Sequence, residues 1–159
     1  MNKFSLLLLV LIASLGMPVW SGQAEPVGVT FYLQLIRGVD DAAAPTPAAQ
    51  PIGPKLGDRL HSVFKWKHYW EIKRDTITVQ EGAKAFKRIT ADRSVEVTLV
   101  NPGQLSLSVY KAGKLTRTIT QSTGAQFFIV GGDTPEEQSW FVVLRRDKPS
   151  GNDSAVGDM

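Results

Sequence analysis

The chain contains no cysteine. That excludes disulfides, thiolate nucleophiles, cysteine-ligated zinc and iron–sulfur clusters. Only two histidines are present, His61 and His68, so imidazole chemistry has at most two places to act. After residue 24 no apolar run reaches the ~20 residues that a spanning helix needs. Charge of one sign is scarce as well. Of the 18 basic residues only Lys3 lies within residues 1–24, which leaves 17 basic residues against 15 acidic ones. A bias that small does not argue for nucleic acid as a partner. With no covalent staple, stability must come from an apolar core, and 159 residues suffice for one domain behind a leader.

Residues 1–24 carry the three parts of a secretory signal. Lys3 is the short basic start, Leu6 to Leu15 (LLLLVLIASL) is the apolar segment, and Gly16 and Pro18 break it. Gly22 and Ala24 put small residues where a signal peptidase needs them, so cleavage is expected after Ala24. The apolar segment is too short for a spanning anchor. The expected product is a soluble periplasmic or extracellular protein, with no transmembrane segment once the signal is removed. The compact form of the leader points to a bacterial source.

What is there reads mostly as β-structure. Val27 to Arg37 (VGVTFYLQLIR) alternates Val27, Val29, Phe31, Leu33 and Leu35 on one side, the pattern of a half-buried strand. Residues 38–53 are rich in Pro and Ala without periodicity and predict an extended loop. Gly53-Pro54 opens a short helix over Lys55 to Phe64, with Leu56, Leu60, Val63 and Phe64 on one face. Lys84 to Thr90 is a weak strand. Val95, Val97 and Leu99, then Leu105, Leu107 and Val109, alternate with polar residues. Asn101-Pro102-Gly103 and Ala112-Gly113 are turns between them. Leu115 and Ile119 share a face with Arg117, which suggests an edge strand or a shift of register. Gln126 to Val130 (QFFIV) and Ser139 to Leu144 (SWFVVL) are continuous apolar runs, as in strands buried on both sides. Gly131 to Gln138 predicts a polar loop, and Asp147 to Met159 a disordered tail.

No βαβ alternation is present, so a parallel sheet is not expected. The predicted fold is mainly β: an antiparallel β-sandwich or small barrel of about eight strands, with one short helix covering an opening. The domain is expected to span residues 25–146.

The stretch from Phe64 to Val79 (FKWKHYWEIKRDTITV) is the centre of this reading. It holds two of the four Trp, one of the three Tyr and one of the two His. On an extended chain Trp66, His68, Trp70 and Ile72 share one side, and Lys65, Lys67, Tyr69, Glu71 and Lys73 share the other. The first side is expected to point inward and the second to be wet, which makes Tyr69 the ring most free to meet a ligand. Trp66, Tyr69, Trp70 and Lys67 are therefore the candidate ligand-binding residues. Base beside aromatic also suits a single-strand nucleic-acid platform, but it equally suits a core strand with a solvated back, and export makes nucleic acid a poor partner. The same rings, if exposed, would stack on sugar.

Other constellations are weaker. His61, His68 and Asp58 make three potential metal ligands but not at a recognised spacing, so no metal is expected. No G-x-S-x-G precedes a triad, and Asp58, Glu71, Asp75 and Glu81 carry no sign of converging as a glycosidase pair. Gly131-Gly132-Asp133 resembles the start of a phosphate loop, but the full G-x-x-x-x-G-K-[ST] or G-x-G-x-x-G is absent. No catalytic residue and no cofactor are expected, and the chain reads as a non-enzyme.

The segments FYLQLIRG, IGPKLGDRL, FKWKHYWEI and FFIVGGDTPEEQSWFVVLRRDKP resemble an uncharacterised family of small exported bacterial β-rich proteins with no assigned function. The resemblance covers most of residues 27–149. It implies an exported β-rich module with a helix ahead of an aromatic strand, and brings no catalytic residue, ligand or cofactor. The expected function is an exported, non-catalytic β-module that binds a protein partner in the cell envelope. The alternative is a carbohydrate- or cell-wall-binding module that uses Trp66, Tyr69 and Trp70.

Overall fold

Phe31, Leu33 and Leu35 on the first strand do face a core, and they face it from the middle of a sheet. The computed structural model describes residues 28–133 and 139–149. The expected signal peptide with its cleavage point, Val27, residues 134–138 and the tail beyond Pro149 lie outside them. Nine strands and one helix are described. They are β1 (Val29–Val39), β2 (Gln50–Pro51), α1 (Pro54–His61), β3 (His68–Val79), β4 (Lys84–Arg88), β5 (Arg93–Asn101), β6 (Gln104–Lys111), β7 (Lys114–Ser122), β8 (Phe128–Asp133) and β9 (Ser139–Arg145).

The strands form two antiparallel sheets, in the orders β2-β3-β1-β9-β8 and β4-β5-β6-β7. They face each other across one core. Phe31, Leu33, Leu35, Phe128, Val142 and Leu144 meet Val95, Val97, Leu105, Leu107 and Val109. This is a β-sandwich and not a closed barrel. The reason lies at the edges, where side chains and not strand pairs join the sheets. Lys73 Nζ donates to the Ile89 carbonyl at 2.8 Å, and Lys87 pairs with Asp75 at 2.9 Å. On the other side Arg117 donates to the Gly131 carbonyl at 3.2 Å. Each of these charges occupies an inward register at a sheet edge, a device that blunts edge-to-edge pairing.

Helix α1 does not cover an opening of the sandwich. It lies on the outer face of the five-stranded sheet, where Leu56 and Leu60 join Ile36, Tyr69, Phe141 and Val143 in a second core. Both faces of β9 are therefore buried, and every residue of the strand is. That is why SWFVVL reads as a continuous apolar run. The helix stops at His61, short of the expected Phe64. Its last turn closes with the Ser62 N–H on the Asp58 carbonyl at 3.0 Å. Val63 thereby leaves the apolar face and is 58% exposed.

Other differences have local causes. Gly131 to Asp133 continue β8 instead of starting a loop, and Gly131 pairs with Phe141. Strand β4 ends at Arg88, because Ile89 and Thr90 turn to donate to the Arg93 carbonyl at 2.9 and 3.1 Å. Strand β7 is the sheet edge, and its register also shifts between Val109 and Tyr110. The shift leaves Thr116 extra on its strand and turns Leu115 outward. The described residues beyond Arg146 are held in place: Asp147 accepts from Arg145 Nε at 2.9 Å, and Pro149 is buried.

Candidate functional site

The aromatic stretch depends on a bulge. Along the β1–β3 ladder Leu35 pairs with Lys73 and Ile36 pairs with Glu71, so Ile72 is an extra residue on β3. One extra residue reverses the alternation. Downstream of it Ile77 and Val79 face the inter-sheet core. Upstream, Tyr69 and Glu71 share the helix-side face with Ile36. That face is not wet, because α1 covers it. Tyr69 is 5% exposed, its ring edge-on to Phe141 at 5.8 Å and to His61 at 4.8 Å. Burial also pushes its phenol above the ordinary range. The expectation that Tyr69 is the ring freest to meet a ligand is thus overturned.

Trp66 precedes the strand, so strand alternation does not govern it. It is 7% exposed and joins Tyr69 in the helix-side core. Trp70 is half-buried and pairs across the ladder with Arg37, while Lys67 is exposed. The structure gathers all four candidates at one end of the sandwich, near the Pro/Ala-rich connection, but not into one site. Trp66 lines a cleft of about 610 Å³ with Asp40, Asp41 and Lys65. Lys67, Tyr69 and Trp70 line another, of about 490 Å³, beside the start of α1. Stacking on sugar needs ring faces in solvent, which Trp66 and Tyr69 do not offer.

The two histidines do not act together. The His61 ring nitrogens lie 2.9 Å from the Gly57 carbonyl and 3.1 Å from the Lys67 carbonyl. His61 thus ties the end of α1 to the approach to β3. Among the described residues no group of three His, Asp or Glu is placed to hold a metal. Glu71 is engaged as well: Gln34 donates to it, and Arg74 grips it through Nε at 2.8 Å and Nη2 at 3.2 Å.

Two features were not singled out in the sequence. The first is the outer face of the four-stranded sheet. Cross-strand pairing places Tyr110 opposite Ser94 and Leu115, and Phe86 opposite Glu96. Phe86 and Tyr110 approach at 6.3 Å between ring centres. Phe86 is 63% exposed and Leu115 is 57% exposed. Lys84 and Arg88 flank Phe86 on the same face, and Lys84 pairs with Glu96 at 3.0 Å. The rest of the face is hydroxylic, with Ser108 bonded to Thr118 at 2.8 Å. The signal was present in KAFKR, where Phe86 alternates with Lys and Arg and so belongs to the wet side.

The second is Arg93. It opens β5 in the inward register of Val95, Val97 and Leu99. Its guanidinium lies 4.8 Å over the Trp140 ring, a cation–π contact at the end of the inter-sheet core. Its backbone N–H donates to the Thr90 hydroxyl at 3.0 Å, which locks the turn before the strand. A charged residue in phase with three apolar ones was the signal that could have identified it.

Comparison with protein families, curated proteins and solved structures finds no match to this chain.

Proposed function

We propose that the chain is an exported, non-catalytic β-sandwich module that binds a protein partner in the cell envelope, and that it does so through the outer face of its four-stranded sheet. One observation carries this reading: Phe86 and Leu115 stand in solvent on either side of Tyr110, on a sheet face where alternation would place polar residues. Large aromatic and aliphatic side chains held on a rigid sheet are the anchors that protein interfaces use. The hydroxylic surround of Ser106, Ser108, Thr118 and Thr120 supplies a rim that can exchange hydrogen bonds with water or with a partner. Arg88, on the same face, favours a partner with a carboxylate near its apolar contact. The leader at residues 1–24 supports the assignment to the envelope.

The test is site-specific photo-crosslinking in exporting cells, with the reactive group placed in turn at Phe86, Leu115 and Thr30. Thr30 is exposed on the other sheet. The same protein adduct is expected from positions 86 and 115 and not from position 30. Adducts from all three positions, or from none, would reject the docking face.

A further inference from the structure

The end of the inter-sheet core opens into a cavity of about 330 Å³. Its apolar wall is Leu35, Ile72 and Trp140, with Pro45 and Thr46 of the long connection at its rim. Both charged residues that line it, Arg37 and Arg93, are arginines. Arg93 is largely buried, with its side chain 13% exposed. Its Nη1 is 3.7 Å from Asp92, a long contact to a half-exposed carboxylate. Its buried Nε–H has no hydrogen-bond partner among the described residues.

The guanidinium of Arg93 is thus incompletely bonded among the described residues. A stacked guanidinium needs no particular acceptor on its edge, but a buried N–H left without one is costly. The neighbouring polar groups hold other bonds as well. The Thr90 hydroxyl donates to Asp92 at 2.8 Å and accepts from the Arg93 backbone. Asp92 accepts that hydroxyl bond, which holds its carboxyl below the usual carboxylate range. What the cavity offers is an apolar wall beside the planar guanidinium fork of Arg93, with a second arginine, Arg37, in its lining. A carboxylate matches that fork in geometry and charge, and the wall suits a short hydrocarbon or aromatic body. The volume sits at the low end of small-molecule sites.

We infer that this cavity binds a small carboxylate with an apolar body, gripped at its charged end by Arg93 and packed against Trp140 and Ile72. The same chemistry is carried by a free aryl or alkyl acid and by the C-terminus of a peptide ending in an apolar residue. The cavity lies on the inner side of the four-stranded sheet, so this inference stands apart from the docking face.

The experiment is titration of the full exported chain with 3-phenylpropionate and with 3-phenylpropanamide, read by calorimetry and by Trp fluorescence. The acid is expected to bind saturably and at least tenfold more tightly than the neutral amide. Arg93→Met should remove that preference, and Arg93→Lys should restore only part of it, because an ammonium lacks the planar fork. If Arg93→Met fails to fold, Thr46→Trp at the exposed rim serves instead and should block binding with the core intact. A short peptide ending in Leu, as free acid and as amide, distinguishes the sources. A peptide acid that binds better than 3-phenylpropionate identifies a chain terminus, and the reverse identifies a free acid. Equal binding of acid and amide, or no binding of any acid at 10 mM, would overturn the inference.

Discussion

Gly38 lacks a side chain, and Trp66 occupies the space that one would take. A β-carbon there would lie 2.8 Å from two atoms of the Trp66 ring and 3.1 Å from Phe141. Gly131 is held in the same way, with Phe141 atoms at 2.8 Å. Two glycines thus flank the rings that seal the helix-side core. Gly38→Ala is expected to cost about 1–3 kcal/mol through overpacking, measured by urea denaturation. A change within about 0.5 kcal/mol would mean that Trp66 moves aside freely, and its burial would then be incidental. Trp140→Ala is expected to cost about 3–5 kcal/mol, because β9 lies between β1 and β8 and the ring also carries Arg93. A near-neutral result would place Trp140 outside the core. The apolar identity of these side chains was plain in the sequence. The need for Gly38 was not, because it follows from the approach of a residue 28 positions away.

At the scale of elements, alternation identified the inward residues of β1, β5 and β6, because each is paired in regular register along its apolar row. It failed at the start of β3 and at Leu115 of β7, where each strand carries an extra residue opposite its partner, although the Arg117 in the β7 row had already pointed to an edge strand or a shift of register. A bulge is set by how two strands align, and neither strand records it alone. The β6–β7 hairpin shows a cost that remains in the fold. Its two-residue loop is Ala112-Gly113, and both have positive φ, 47° and 75°. Alanine tolerates that region poorly and asparagine better. Ala112→Asn should therefore stabilise the protein by about 0.5–1 kcal/mol, read as a rise in melting temperature. A fall would mean that the alanine methyl makes a contact worth more than the strain. Helix α1 is short and would be marginal in isolation. Its stability comes from Leu56 and Leu60 against the sheet, so Leu60→Ala should cost about 2–5 kcal/mol.

At the scale of the whole molecule, the C-terminal segment after β9 is tied back. Asp147 takes hydrogen bonds from Arg145 and pairs with Lys55 of α1 at 3.4 Å, and the Pro149 carbonyl accepts from Arg74 at 3.5 Å. Chiefly through the Arg145 hydrogen bonds, the Asp147 carboxyl is held down at about 2. A depressed carboxyl stabilises the folded state above its unfolded pKa near 4, and that contribution is lost as pH falls toward 2. The carboxylate is 40% exposed, so the effect is under about 1 kcal/mol. Asp147→Asn should be less stable than the parent at pH 7, and the two should converge between pH 4 and pH 2. A gap that does not depend on pH would remove the ion pair as its cause. A chain ending at Arg146 should likewise melt below one ending at Pro149, and equal melting temperatures would show these ties to be idle. Mass spectrometry of the secreted product should begin at Glu25, and an intact Met1 would refute the leader.

The sequence by itself determined the fold class and the absence of thiol chemistry. Period-two patterning, the turn residues and the two continuous apolar runs are local properties, and each survives in any register. Only the tertiary structure decided which side of the aromatic strand is buried. One extra residue at Ile72 reverses its alternation, and a helix laid on the outer face buries Tyr69 on the side that alternation left to solvent. The same holds for the two surfaces that carry the functional reading. Arg93 became a buried cation because the sheets stack its guanidinium on Trp140, which lies 47 positions along the chain. Phe86 became exposed because, among the described residues, nothing covers the face it shares with Tyr110. Burial of a side chain is a relation between elements, and local pattern records only half of it.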